Sequence, residues 1–432
     1  MQTWILRWLL VALCVALTSG LRPWVDAASG AFIPADISQD AAAARLFARG
    51  VNPYGPVIRE EHSRMLGVSM NDTFPYFPHP PFSLVLSWPL AYVPYGTGAA
   101  IWFASTLAIL LLLAALLSEV SRGDGDDRSR LATPGRFFLL LLLWPPVLYN
   151  LEKGQWSVLL VVLVTAGYCA SARGNLNRAA AWLGAAAAVK VFPVISGVYF
   201  LLRSRRAFAT FVAVGASLTG LPLLRIGFDA FFAFLGQSRL NMPVWETFPS
   251  VTLSLHGALA RLLIGGQWAR SLIHAPVSAY IIEFVLVAVL LGFAVRITLL
   301  ARSGRSSEAL AFSAWVTLLP VLNPQSLGHN GVLLALPLVV MARELSVQSE
   351  PWHRAVWGLS LALISLPKQT VWRLVSSPVE PWEGLAIVAL PTWGALLLFG
   401  VIAAVAVGRG RLDVTVIAAS GRIRPSPAAS DL

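Results

Sequence analysis

The sequence predicts an all-α, polytopic membrane bundle of about 10–12 helices, on three observations. Of 432 residues, 57% are hydrophobic and only 12% charged, too little polar surface to clothe a water-soluble domain. The apolar residues fall in unbroken runs such as WFASTLAILLLLAALL and IVALPTWGALLLFGVIAAVAV. Each is close to the length that crosses about 30 Å of hydrocarbon as a helix, and neither alternates as barrel strands do. The net charge of +11 comes as short arginine clusters between those runs. That is the signature of orientation by the positive-inside rule, not of a nucleic-acid surface. Cys14 and Cys169 both lie inside apolar runs, so the sequence offers neither a disulfide framework nor a metal cluster.

The stretch MQTWILRWLLVALCVALTSGL puts Arg7 ahead of an apolar core, with small residues near Ala27 and Ala28. With many spans following, it reads as an uncleaved first helix and not as a signal peptide. Spans are predicted near 4–21, 98–118, 137–149, 156–172, 179–202, 206–224, 277–298, 309–322, 331–343, 355–371 and 385–406. The clusters Arg203/Arg205/Arg206, Arg296/Arg302/Arg305, Arg343/Arg354 and Arg409/Arg411 then mark cytoplasmic loops. Residues 22–80, 225–276, 323–330 and 372–384 fall on the outer side. Two solutions fit the first half. In one, 81–96 crosses and 179–202 crosses once, giving twelve helices; in the other, 81–96 does not cross and both ends of 179–202 are cytoplasmic. The first is preferred. A single transmembrane catalytic domain over 1–408, with outer loops at 22–80 and 225–276, is expected to precede a cytoplasmic, disordered tail at 409–432, and the expected location is the inner (plasma) membrane with the site facing outward.

Asp36 and Asp40 stand four apart and so share one helix face, and AAAARLFAR continues that helix until VNPYGP stops it. Residues 36–49 therefore read as a short amphipathic helix on the outer membrane face. On pattern alone, acids in a first turn that favour the helix dipole account for them too. FPYFPHPPFSLVLSWPL carries His79 just before a Pro-Pro that starts a helix, and LNPQSLGHNGVLLALPLVV puts His329 in an outer turn. Lys190, in AAAAVKVFP, sits deep in an apolar segment, far from either end; an ammonium there needs an anionic partner or must snorkel. Asn150 and Gln155, in YNLEKGQWSVLL, offer amides at the mouth of another span.

Taken in order, Asp36 with AAAARLFARGVNPY, PPFSLVLSWPL, NLEKGQWSVLL, AAAAVKVFP and NPQSLGHNGVLLALPL resemble the GT-C glycosyltransferases of family 87, which include polyprenol-phosphate-mannose-dependent α-1,2-mannosyltransferases. The resemblance covers roughly residues 30–345. It implies an enzyme that moves a sugar, mannose foremost, from a polyprenyl-phosphate carrier to a glycan or lipid acceptor, with inversion. It implies Asp36 as the catalytic acid of the family, with Asp40 and His329 assisting. Lys190, Asn150, Gln155, Tyr54, His79, Arg225 and Arg239 are then candidates for donor and acceptor binding. Ile37, Asp40 and His79 stand where the family usually has an aromatic residue, Tyr and Tyr, and SLGH lacks a preceding Trp. No cofactor is implied beyond the lipid-linked donor, no metal and no nucleic acid, and no Asp-x-Asp is present. The rival reading from another class is a transporter or lipid flippase, which would place its ionisable residues in paired broken helices of two similar halves. A non-catalytic scaffold and a related ligase or polymerase of the same architecture also remain open.

Overall fold

The computed structural model describes residues 35–67, 77–122, 133–240, 251–266, 269–348, 350–367, 371 and 373–419. The expected first span at 4–21 lies outside the described residues. Among the described residues the chain is helical throughout, with two isolated bridges in place of any sheet. Four helices are long and apolar enough to cross a membrane: α4 (Tyr95–Arg122), α10 (Arg205–Ile226), α13 (Pro276–Arg302) and the 390–408 part of α17 (Leu390–Ala419). Shorter legs accompany them: α5 (Pro134–Leu143), α7 (Ser157–Ala172), α8 (Leu176–Val189), α9 (Ser196–Arg203), α14 (Glu308–Val321), α15 (Ala335–Gln348) and α16 (Pro351–Ile364).

One end of the bundle is rich in arginine. There Arg173 pairs with Glu119, Arg203 pairs with Glu308 at 2.9 Å, Arg302 donates to Leu202 O at 3.0 Å and Arg343 donates to Val120 O at 3.2 Å. The other end carries the shorter elements: α1 (Ala35–Ala48), α2 (Val57–Leu66), α3 (Pro81–Ser87) with the 3-10 turn Trp88–Tyr92, α6 (Pro145–Lys153), α11 (Asp229–Leu240), α12 (Leu255–Leu263) and the 3-10 turn Gly328–Leu334.

Proline decides where the predicted spans break. The run at 81–96 is not a span: a seven-residue helix and a five-residue 3-10 turn reach only about 20 Å, and α4 begins directly after Pro94. The run at 137–149 is two helices that meet at Trp144, because Pro145 and Pro146 start a new first turn. Residues 179–202 do not form one crossing. Helix α8 stops at Val189, Lys190 is extended (φ −140°, ψ 138°), the 3-10 turn Phe192–Ile195 follows, and α9 runs back. Pro193 has no N–H to offer the Val189 carbonyl, which ends the helix where it does. Both ends of this hairpin lie at the arginine-rich end, since Tyr199 Oη meets Ser171 Oγ at 3.2 Å and Arg203 meets Glu308. The preferred twelve-helix arrangement is thus corrected in favour of the second solution.

Small residues let the hairpin pack. A Cβ on Gly184 of α8 would fall 2.6 Å from the Phe211 carbonyl oxygen of α10, so the two backbones approach as closely as glycine permits. Helix α1 also differs from expectation. It is buried on nearly every side, Ile37 through Ala44 included, and is wedged between α2, α3 and the 88–92 turn instead of lying along a surface. Its predicted stop holds: Gly50 (φ +73°) turns the chain, and Val51 N donates back to Leu46 O.

Candidate active site

Helix α1 places Asp36 in its first turn and Asp40 one turn on, and both face the turn that joins α6 to α7. That turn is left-handed at Gly154 (φ +74°), where a Cβ would lie 3.0 Å from the Cβ of Ile37. The close approach brings the next two side chains onto the two acids in sequence. Gln155 Nε2 donates to Asp36 Oδ2 at 2.5 Å, and Trp156 Nε1 donates to Asp40 Oδ2 at 2.8 Å.

Lys190 enters from the apex of the α8–α9 hairpin. Its ammonium donates to Gln155 Oε1 (2.7 Å), Ser157 Oγ (3.2 Å) and Asn330 Oδ1 (3.3 Å). Ser157 donates to the same Asn330 oxygen at 3.0 Å, and Asn330 Nδ2 reaches Ser326 Oγ at 3.3 Å. An ammonium has three protons, and each has an oxygen here. A continuous chain of hydrogen bonds therefore runs from Asp36 through Gln155 and Lys190 to Asn330, joining residues far apart in sequence.

The two acids sit in different surroundings. Asp36 is half-buried, whereas Asp40 is fully buried. Burial pushes the Asp40 carboxyl well above the usual carboxylate range; the Trp156 hydrogen bond opposes this, Asp36 adds to it and Lys190 opposes it. His79 Nε2 stands 3.7 Å from Asp40 Oδ1. Burial, with Lys190 nearby, pulls the His79 imidazole down to about 3, so it is neutral. With the imidazole neutral, the contact is not an ion pair.

The remaining predicted residues divide. Tyr54 is buried; its hydroxyl donates to His79 O at 2.8 Å and its ring packs on Phe77 and Phe234, which holds the loop that carries His79. Asn150 is buried on α6, and its side-chain amide has no hydrogen-bond partner among the described residues. His329 is buried beside Asn330, with its ring edge-on to Tyr149 at a centroid distance of 5.6 Å; the neighbouring amide is the group bonded to Lys190. Arg225 is not brought to the acids: it donates to Phe47 O (2.8 Å) and Ala48 O, which closes the C-terminus of α1, and lies over the rings of Phe47 and Trp88. The side chain of Arg239 lies outside the described residues. Trp156, Ser157 and Asn330 were not singled out from sequence, although all three lie inside the motifs quoted above.

A helical membrane bundle with an acid pair, a buried ammonium and amides gathered at one end defines a membrane glycosyltransferase once its relationships are added. The chain matches glycosyltransferase family 87 over residues 77–313, more than half its length, and belongs to that family. His79, Asn150, Gln155 and Lys190 fall inside the matched stretch; Asp36, Asp40 and His329 fall outside it. It is 27% identical over 345 residues, 75% of this chain and 74% of the relative, to a polyprenol-phosphate-mannose-dependent alpha-(1-2)-phosphatidylinositol pentamannoside mannosyltransferase of Mycobacterium tuberculosis. It is 26% identical over 328 residues, 72% of this chain and 74% of the relative, to the protein of the same description from Mycolicibacterium smegmatis. These relationships lend the transporter reading no support.

Proposed function

We propose that this enzyme transfers mannose from a polyprenyl-phosphate carrier to a hydroxyl of a mannosylated glycolipid, with inversion, on the extracytoplasmic side of the plasma membrane. The observation that carries this reading is the chain of hydrogen bonds from Asp36 through Gln155 to Lys190, Ser157 and Asn330. It sets a base and a cationic anion receptor side by side, as displacement of a phosphate from a sugar requires. The positive-inside rule supports that side of the membrane, because the clusters Arg203/Arg205/Arg206, Arg302/Arg305 and Arg343/Arg354 lie at the opposite end of the bundle.

In this mechanism the half-buried Asp36 accepts the proton of the acceptor hydroxyl. The acceptor oxygen attacks the anomeric carbon from the face opposite the phosphate, and the bond from that carbon to the phosphate oxygen breaks with its electron pair. A sugar already bonded to phosphate has a good leaving group, so charge neutralisation replaces a strong general acid. Lys190 supplies the charge, Ser157 and Asn330 supply hydrogen bonds, and His329 stands next to Asn330 as a further phosphate contact. A β-linked donor yields an α-glycoside. Asp40, whose charged form burial disfavours, is the less suited of the two to take up a proton and supports Asp36 through the shared helix face. The orphaned amide of Asn150 suits a sugar hydroxyl, since leaving it unmade costs about 1–3 kcal/mol. No cofactor beyond the lipid-linked donor is needed for these steps.

The decisive assay supplies purified enzyme in lipid nanodiscs with labelled mannose, either on polyprenyl phosphate or as a nucleotide sugar without prenyl carrier. Transfer to a phosphatidylinositol mannoside is expected from the first alone. Equal transfer from the nucleotide sugar would remove the lipid carrier from the reading.

A further inference from the structure

Gln155 stands between the two halves of the candidate site. Its Nε2 donates to Asp36 and its Oε1 accepts from Lys190. A primary amide donates at one end and accepts at the other, an ammonium only donates, and an ionised carboxylate only accepts. The two neighbours therefore dictate which way the amide faces: flipped, it would set its own N–H against the ammonium and its oxygen against the carboxylate. The backbone limits the side chain as well, because Gln155 N donates to Asn150 O at 3.1 Å and Gly154 is held against Ile37.

From this geometry we propose that Gln155 is a positioning residue that couples the leaving-group cation to the base: Lys190 orients the Gln155 amide, and that amide holds the Asp36 carboxylate toward the acceptor hydroxyl. The inference rests on the assignment of Asp36 as base and Lys190 as phosphate ligand. Lys190 then acts twice, on the donor through its charge and on the base through one intervening amide. Removing either Lys190 or Gln155 loosens Asp36, and removing both loosens it no further.

The test is a steady-state analysis of the full chain in nanodiscs, with polyprenyl-phosphate mannose as donor and a phosphatidylinositol mannoside as acceptor. Gln155→Leu is expected to lower kcat about tenfold or more while leaving donor KM within about twofold. Lys190→Ala is expected to raise donor KM and also to lower kcat. The double variant is expected to show the kcat of Lys190→Ala alone, because the two losses travel through the same bond chain. If Gln155→Leu does not yield folded protein, the near-isosteric Gln155→Glu takes its place: it keeps an acceptor for Lys190 but cannot donate to Asp36, so kcat falls and donor KM rises as the new carboxylate competes for Lys190. Losses in kcat that multiply in the double variant would overturn the coupling, as would a raised donor KM with unchanged kcat in Gln155→Leu, which would make Gln155 a donor contact. Asp36→Asn is assayed beside them; full activity there would defeat the base assignment itself, whatever Gln155 does.

Discussion

Replacing each acid by its amide separates their roles, and the structure sets the size of the difference. Asp36→Asn keeps an oxygen that accepts the Gln155 Nε2 hydrogen, and the position is half-buried, so the local fold has little reason to change. What is lost is the capacity to take a proton, for which general-base catalysis supplies roughly 100- to 10,000-fold in rate, or about 3–5 kcal/mol of barrier. Asp40→Asn removes a carboxyl whose charged form burial already disfavours, and the amide oxygen accepts the Trp156 indole hydrogen as before. A loss of less than about tenfold is expected there. The assay is initial-rate transfer of labelled mannose from polyprenyl phosphate at saturating donor, with both variants matched for folded protein by their thermal midpoints. The reasoning is refuted if Asp40→Asn loses as much as Asp36→Asn, or if Asp36→Asn keeps more than about a tenth of the rate.

Three further outcomes are expected. The Asp40 carboxyl is raised in the folded state, so its contribution to stability is complete below its unfolded value near 4 and is lost as pH climbs toward the raised value. The thermal midpoint of Asp40→Asn should therefore gain on wild type as pH rises above about 4, and a constant gap would overturn the raised carboxyl. The His79 imidazole is lowered to about 3, so its contribution is present above about 6.5 and is lost as the solution is acidified. His79→Gln should soften that acid limb, whose full depth is roughly 4–5 kcal/mol at most. Topology gives the third outcome: single cysteines at Gly174 and Ser204, which flank the α8–α9 hairpin, should react with an impermeant maleimide from the same side of the membrane, and labelling from opposite sides would restore a single crossing over 179–202.

Much of the site was readable in the sequence as separate pieces. Asp36 and Asp40 shared a face by spacing alone, and Lys190 stood out because an ammonium deep in an apolar run has to be satisfied. The partner of each was not readable. His329 drew attention for its chemistry, yet the adjacent Asn330 is the residue bonded to Lys190. Gln155 stands out in the sequence as an amide at the mouth of a span, whereas nothing in the pattern marks the neighbouring Trp156 and Ser157, although the three form consecutive contacts to Asp36, Asp40 and Lys190. Arg225 read as a phosphate ligand by charge, whereas its guanidinium is spent on the last carbonyls of α1. Pairings of this kind depend on which helix ends meet, and the hydrophobic pattern that defines spans carries no information about that.

The breaks in the helices explain why these residues meet where they do. Asp36 lies in the first turn of α1, Gln155 and Trp156 in the turn after α6, Lys190 where α8 stops, and Asn330 in a 3-10 turn. In a bilayer, backbone groups freed by a break must be satisfied away from lipid, so irregular segments at membrane depth are found only where they are buried in protein or line a water-filled cavity. Each such break supplies backbone freedom to aim a side chain and a reason for polar residues to gather there. The signals are in the sequence as prolines and glycines within or beside apolar runs: Pro80 and Pro81, Pro145 and Pro146, Gly154, Pro193 and Gly328. Counted as interruptions of spans, they upset the helix count. Weighed as points where the bundle opens its backbone toward one end, the same residues mark the borders of the acid pair, the amide turn and the lysine apex.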